Sequence, residues 1–257
     1  MAENGLMTQT SSFSESSIAA LNDELQDASP RDVLLRLLPL FRRCALSFSG
    51  AEDVVAIEHA LKAAKKSGLE QLPEVFTLDT GRLPPATLRY LETVRHHYGI
   101  TLTLLTPNSA AVQALVSEKG LFSFYEDGHE ECCAVRKLEP LRAHLPQFDA
   151  WISGQRKDQS PTRSALPVVE IDSTFAAPHR QLIKINPLAN SSSEDVWNTI
   201  RSFDIPYNEL HDQGFVSLGC EPCTKAIGPN QHEREGRWWW EEATAKECGL
   251  HLPVKQL

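Results

Sequence analysis

Apolar positions recur along most of the chain with two alternating periods. Leu21 and Leu25, then Val33, Leu34, Leu37 and Leu38, fall at helical spacing from Ile18 onward, and Pro30 with Asp32 marks a helix start. The short apolar run Ala45-Leu46-Ser47-Phe48 reads as a strand that breaks at Ser49-Gly50-Ala51, and residues 53–66 return to helical spacing. The alternation repeats with a strand over 74–78, a helix over 86–98, a strand over 101–105 and a helix over 109–118. A helix over about 130–144, a buried strand over 150–153, a strand pair at 168–171 and 182–185, and a late helix over 194–202 complete the pattern. Strands alternating with helices predict an α/β fold, a mostly parallel sheet flanked by helices. Residues 1–17 are rich in Ser, Thr, Glu and Asn and predict a flexible N-terminal leader. Residues 18–257 then form a single α/β domain, with a C-terminal tail from about residue 232.

Charge narrows the function classes. The 257 residues include 25 basic and 34 acidic side chains, a net charge of −9, which argues against a general nucleic-acid or membrane-surface binder. No apolar run is long enough to cross a bilayer, and the N-terminus lacks the basic start and apolar middle of a secretory signal. Six cysteines without an export signal suit a reducing compartment, so a cytoplasmic location is expected. Anionic small molecules remain candidate substrates wherever basic residues converge.

The cysteines carry the sharpest signal. Cys132-Cys133 and Cys220-x-x-Cys223 form two tight pairs, and Cys248 stands apart near the C-terminus. Thiolates suit zinc and iron–sulfur clusters alike. The adjacency of Cys132 and Cys133 favours a four-iron cluster, whose separate irons accept neighbouring ligands that approach different corners. A zinc clip, or ordinary buried cysteines, are the alternatives. Cys248 lies near Arg234, Arg237 and His251, and cations lower a thiol pKa, so it reads as an activated thiol. Cys44, inside an apolar stretch, reads as core packing.

Three segments are placed to receive an anion. Ser47-Phe48-Ser49-Gly50-Ala51-Glu52-Asp53 leaves the first strand and enters a helix, where backbone N–H groups and the helix dipole favour negative charge. It lacks the G-K-[ST] ending of a Walker loop. The turn after the second strand, Leu78-Asp79-Thr80-Gly81-Arg82, faces the same crevice in a parallel sheet and is a candidate nucleotide contact, through backbone groups or the Arg82 fork. Arg156, Lys157 and Arg163 follow another buried strand and are candidates for a polyanion cradle. Lys137, a turn beyond the first cysteine pair, suits a point contact to sulfate or phosphate, and Arg234 and Arg237 would share one face of a helix. Trp238, Trp239 and Trp240 read as core or interface anchors.

The ordered set Cys132-Cys133-x-x-Arg136-Lys137-x-x-Pro140-Leu141, Cys220-x-x-Cys223, Glu233-Arg234-x-Gly236-Arg237-Trp238-Trp239-Trp240 and Glu247-Cys248-Gly249-Leu250-His251 resembles the signature of bacterial assimilatory adenylylsulfate reductases. The Ser47–Asp53 loop is similar to that family's modified pyrophosphatase-type loop, and the likeness runs from about residue 30 to 251. The resemblance implies a fold of the adenine-nucleotide α-hydrolase type and reduction of adenylylsulfate to sulfite and AMP. It implies one 4Fe-4S cluster on Cys132, Cys133, Cys220 and Cys223, and an S-sulfonated Cys248 resolved by thioredoxin or glutaredoxin. It further implies phosphosulfate contacts from Lys137, Arg234, Arg237 and His251 with help from Arg163, and nucleotide contacts from Ser47, Ser49 and the turn from Leu78 to Gly81. A homo-oligomer is compatible with all of this. Rival readings are a 3′-phosphoadenylylsulfate reductase, whose branch typically lacks the cluster cysteines, a dual-specificity enzyme, a zinc-stabilised nucleotide-binding protein, and a sulfurtransferase or ATP-pyrophosphatase acting on tRNA.

Overall fold

A six-stranded sheet runs through the computed structural model, which describes residues 12–242. Its strands are β1 (Cys44–Ser47), β2 (Glu74–Leu78), β3 (Leu102–Leu105), β4 (Ala150–Ile152), β5 (Val169–Ile171) and β6 (Ile183–Ile185), in the spatial order β3-β2-β1-β4-β6-β5. All neighbours pair in parallel except β5 with β6, which are antiparallel. The expected strand pair at 168–171 and 182–185 is therefore this antiparallel edge.

Both faces of the sheet are covered, which is why its strands read as apolar runs rather than strict alternation. Leu46, Val75, Ile152, Ile183 and Ile185 join the larger core, with Val54, Ile57, Val94, Val196 and Ile200 from the helices. Their neighbours in the pleat, Ala45, Phe76 and Trp151, pack on the other face with Leu141, Leu145 and Phe148.

Helices α1 (Glu15–Leu25), α2 (Pro30–Leu37), α3 (Ala51–Lys66), α4 (Pro85–Tyr98), α5 (Ser109–Lys119), α6 (Glu130–Cys133), α7 (Glu139–His144) and α8 (Ser193–Ser202) follow the predicted segments closely. Helix α1 begins three residues before Ile18, because the Ser14 side chain accepts from the Ser17 N–H and caps it. Phe13 ahead of it packs on the Phe41 ring at 5.6 Å and exchanges two hydrogen bonds with the Gln181 amide. On α1 itself, the Asn22 amide donates to the Val169 carbonyl at 2.8 Å and accepts from the Val169 N–H at 3.1 Å. The helix expected over 130–144 is interrupted by a π turn, Ala134–Leu138. Pro140 has no N–H for the Arg136 carbonyl, and a widened turn absorbs the missing bond.

The strand order reverses between β1 and β4, so a crevice opens beyond their carboxyl ends. The loops that follow β1, β2 and β4 converge on it.

Candidate active site

The crevice is a cavity of about 220 Å³. Ser47, Ser49, Leu78, Lys137, Arg163, Arg234 and Arg237 all line it, drawn from five separate stretches of the chain. Gly81 does not line it. It turns with φ +71° beside the Arg136 guanidinium, which donates to the Thr80 carbonyl at 2.6 Å. Cys248 and His251 lie outside the described residues. Arg82 also leaves the crevice, donating to the Leu121 carbonyl and packing over Phe122 and Phe124.

The loop after β1 is organised by Asp53, a residue that sequence reasoning placed in the motif without a role. Its carboxylate accepts from the Ser49 N–H and hydroxyl at 2.8 Å, from the Gly50 N–H at 3.2 Å and from the Gly154 N–H at 3.0 Å. One side chain thus bolts the loop after β1 to the loop after β4. Gly154 is required there, since a Cβ would meet the Asp53 and Glu52 backbone at 2.8 and 2.9 Å. Burial raises the Asp53 pKa from 3.8 to about 6, against the opposing pull of its Ser49 hydrogen bonds.

Because the folded-state value is the higher one, the folded chain holds this proton more tightly, and stability from this group rises as pH falls. Between pH 7 and pH 5 the wild-type chain should gain about 1.4 kcal/mol relative to Asp53→Asn. Urea melts of both proteins at the two pH values measure it, and a gap independent of pH would contradict the assignment.

The expected cradle of Arg156, Lys157 and Arg163 is not formed, and only Arg163 reaches the cavity. Arg156 is fully buried and faces three carboxylates, with Nη2 at 3.0 Å from Glu52 and 2.9 Å from Glu233, and Nη1 on Asp158. Lys157 turns outward to Asn190 at 2.6 Å. A cation so enclosed by carboxylates has no charge to spare for a ligand. Burial raises the Glu233 pKa, partly offset by Arg156.

Arg234 and Arg237 reach the cavity without a helix. Their segment turns back on the second cysteine pair through an antiparallel bridge between Thr224 and Arg237, with the Trp238 N–H donating to the Cys223 carbonyl at 3.1 Å. Trp238 is buried, whereas Trp239 is exposed. The Arg237, Lys137 and Arg234 cations lie 4.6, 5.6 and 5.7 Å from the Trp238 ring, so one indole gathers three positive charges at the cavity edge. Gly219 packs against the Arg237 guanidinium, where a Cβ would collide.

Behind this cationic wall lies a smaller cavity lined by Cys132, Cys133, Cys220 and Cys223 together with Arg82, His129, Arg136, Lys137 and Trp238, with the Thr80 hydroxyl beside Cys220. The four thiols, brought together from two distant pairs, share one apolar cluster with Phe124 and Trp238. Among the described residues no group of His, Cys, Asp or Glu is arranged to hold a single metal ion. The Trp238 Nε1–H and Arg136 Nε–H are buried at this cavity with no hydrogen-bond acceptor among the described residues. Burial opposes ionisation of Cys220, but Lys137, the Thr80 hydroxyl at 3.1 Å, Arg237 and Arg136 outweigh it and hold the thiol below its ordinary value. Burial and the neighbouring Cys220 push Cys223 up to about 12. Cys44 is remote from both cavities, and burial pushes its thiol far up, in keeping with packing rather than reactivity.

A parallel sheet with a cation-lined crevice at its switch point defines an α/β protein of the nucleotide-binding type. More narrowly, the phosphoadenosine phosphosulfate reductase domain matches residues 43–226, and the chain belongs to that family. It is 53% identical over 236 residues to the adenosine 5′-phosphosulfate reductase of Pseudomonas aeruginosa (strain LESB58), covering 91% of this chain and 86% of that protein. It is equally 53% identical to the chloroplastic 5′-adenylylsulfate reductase 3 of Arabidopsis thaliana, but spans only 50% of that longer protein. Among solved structures, the phosphoadenylyl-sulfate reductase of Candida auris, a phosphate complex, superposes with a TM-score of 0.67 at 26% identity, over 84% of this chain and 98% of that one. The FMN adenylyltransferase of Candida glabrata shares the fold at 15% identity, with a TM-score of 0.57 over 93% of this chain and 79% of that one.

Proposed function

We propose that this chain reduces adenylylsulfate to sulfite and AMP in assimilatory sulfate reduction. The observation that carries the reading is the convergence of Lys137, Arg163, Arg234 and Arg237 on a crevice whose opposite lip is the Ser47–Asp53 loop. One end of that crevice suits a nucleotide and the other a phosphosulfate. The relatives at 53% identity bear names for this reaction.

In this reading the Cys248 thiolate attacks the sulfate sulfur. The S–O bond to the nucleotide breaks, its electron pair leaves on the AMP phosphate, and an S-sulfonated cysteine results. A dithiol protein, thioredoxin or glutaredoxin, attacks the Cys248 sulfur and releases sulfite, and its second thiol resolves the mixed disulfide, supplying two electrons in all. A thiolate approaching a dianion meets repulsion, which Lys137, Arg234 and Arg237 offset, and His251 adds a further contact. Ser47, Ser49 and the Leu78–Thr80 turn hold the nucleotide.

The cysteine cavity fits a 4Fe-4S cluster held by Cys132, Cys133, Cys220 and Cys223. Four thiols from two distant pairs line one space, and cluster sulfurs are acceptors of the kind that the two buried N–H donors beside it lack among the described residues. When bound, the cluster supplies fixed charge and structural support beside Lys137, while thiol exchange supplies the electrons. No helix among the described residues is long and apolar enough to cross a membrane, and a cytoplasmic location completes the reading.

Anaerobically purified protein should carry four irons and four sulfides per chain and show a higher kcat/KM for adenylylsulfate than for its 3′-phosphorylated analogue. Stoichiometric zinc without sulfide would remove the cluster from this account. Equal or reversed kcat/KM values would overturn the substrate assignment.

A further inference from the structure

Gln155, next after Gly154 on the loop that leaves β4, lines the main cavity and has no part in the reaction as written. It is 4% exposed, and its Nε2 has no acceptor among the described residues. The Ser153 hydroxyl lies 3.5 Å from Oε1, but its proton is drawn to Asn186 Oδ1 at 2.6 Å. Asn186 is fixed in turn, since its amide nitrogen donates to the Pro167 carbonyl at 2.9 Å and to Glu170 at 3.1 Å. The Gln155 amide is thus held out of water with its N–H groups unpaired among the described residues. Such a group costs stability in the free protein, and a ligand that accepts from it removes that cost on binding.

Its neighbours narrow the choice of ligand group. Glu52, in the first turn of α3, has its backbone against Gly154 and lines the same cavity. Arg156 meets Glu52 through one oxygen, Oε1, at 3.0 and 3.2 Å, and shares its charge with Asp158 and Glu233. One guanidinium among three carboxylates leaves this wall net negative. A donor and a carboxylate side by side match a hydroxyl, which accepts from the first and donates to the second. A phosphate has little proton to give at neutral pH and brings like charge.

Resting on the nucleotide reading of the crevice, we propose that Gln155 and Glu52 determine substrate specificity by reading a free ribose 3′-hydroxyl and refusing a 3′-phosphate. In a ligand built of base, ribose and phosphosulfate, the ribose lies between the Ser47 and Ser49 contacts and the cations Lys137, Arg163, Arg234 and Arg237. The loop after β4 meets α3 between those two ends, where the Gly154 N–H donates to Asp53. Adenylylsulfate presents a hydroxyl at the 3′ position. Its 3′-phosphorylated analogue presents an anion to a wall that already carries excess negative charge.

Calorimetry on intact, anaerobically purified wild type, Gln155→Met and Glu52→Gln gives the test, with AMP, 3′-deoxy-AMP and adenosine 3′,5′-bisphosphate as ligands. Urea unfolding of the three ligand-free proteins runs alongside. Methionine nearly keeps the shape of glutamine without its amide, so Gln155→Met should unfold at or above the wild-type urea midpoint. It should bind AMP about five-fold more weakly, yet 3′-deoxy-AMP no more weakly than wild type does. Wild type should bind the bisphosphate at least about ten-fold more weakly than AMP. Glu52→Gln keeps an acceptor for Arg156 and should narrow that gap at least about three-fold. Unchanged AMP affinity in Gln155→Met, or an equal loss for AMP and 3′-deoxy-AMP, would overturn the hydroxyl contact. So would a lower urea midpoint, which marks a structural partner for the amide. A gap absent from wild type, or unmoved in Glu52→Gln, would overturn the refusal of phosphate. Wild type that binds none of the three nucleotides brings down the proposed reaction itself, a failure distinguishable from the others.

Discussion

Cys248→Ser protein is expected to release no sulfite while retaining its iron and its affinity for AMP. Serine nearly preserves the shape of the side chain but is a far weaker nucleophile at neutral pH, where a thiol near cations is partly ionised. The four other clustered cysteines are committed to one buried cavity, and Cys44 is remote from the crevice with a thiol that burial keeps protonated. No second thiol among them is placed to take over. Wild type mixed with adenylylsulfate alone should gain one sulfite-mass adduct on the Cys248 peptide, and thioredoxin should remove it. A fully active serine variant, or an adduct on another cysteine, would end the thiol mechanism.

The largest effect on stability is expected at Arg156, outside the chemistry altogether. Removing one partner of a buried ion pair typically costs about 3–5 kcal/mol, because the remaining charge stays desolvated. Asp158 is half exposed and regains water easily, and Glu52 is a quarter exposed, so Glu233 at 17% carries most of the penalty. Arg156→Ala should therefore fall near the low end, about 3 kcal/mol in urea unfolding. Its KM should also rise, since Glu52 and Glu233 both line the cavity and would present unneutralised charge to an anionic substrate. Adding Glu233→Gln to an Arg156→Met chain should restore part of the stability, a coupling that a double-mutant cycle measures. A loss below about 1 kcal/mol for Arg156→Ala would show that the cluster is already hydrated and contributes little.

The architecture was readable from the periodicities because packing on both faces of a sheet leaves an unambiguous trace. Short apolar runs at 45–48, 74–78 and 150–153 read as buried strands once helices separate them, and the structure places β1, β2 and β4 there within a residue. What periodicity could not supply was the direction in which a charge points. Arg156 and Arg163 stand seven apart on one loop and look interchangeable, yet one is enclosed by carboxylates from three parts of the chain and the other lines the cavity. Only the tertiary arrangement brings Glu52 and Glu233 to Arg156. Arg234 and Arg237 reached the right place for a different reason than helical spacing suggested. A turn and a bridge to Thr224 deliver them, and the signal available was Gly236 between them, whose Cβ would strike the Lys225 carbonyl. Asp53 lay within a quoted motif, and its role could have been found by asking what satisfies the N–H groups of Ser49 and Gly50 at the loop. His129 offered no local signal, since the Glu241 carboxylate that meets its Nδ1 is 112 residues away.

The Asn22 side chain has a consequence for how this sheet meets other molecules. An open β-sheet normally ends in unpaired N–H and C=O groups at both margins, each a template for a strand from another chain. At Val169 that template is already used. A single carboxamide from α1 takes both the N–H and the carbonyl, imitating the next strand in a sheet that has none. Gln181 does the same in reverse for Phe13 and holds the approach to α1 in place. The β5 margin is thus blocked at Val169 by a side chain rather than by a neighbouring strand.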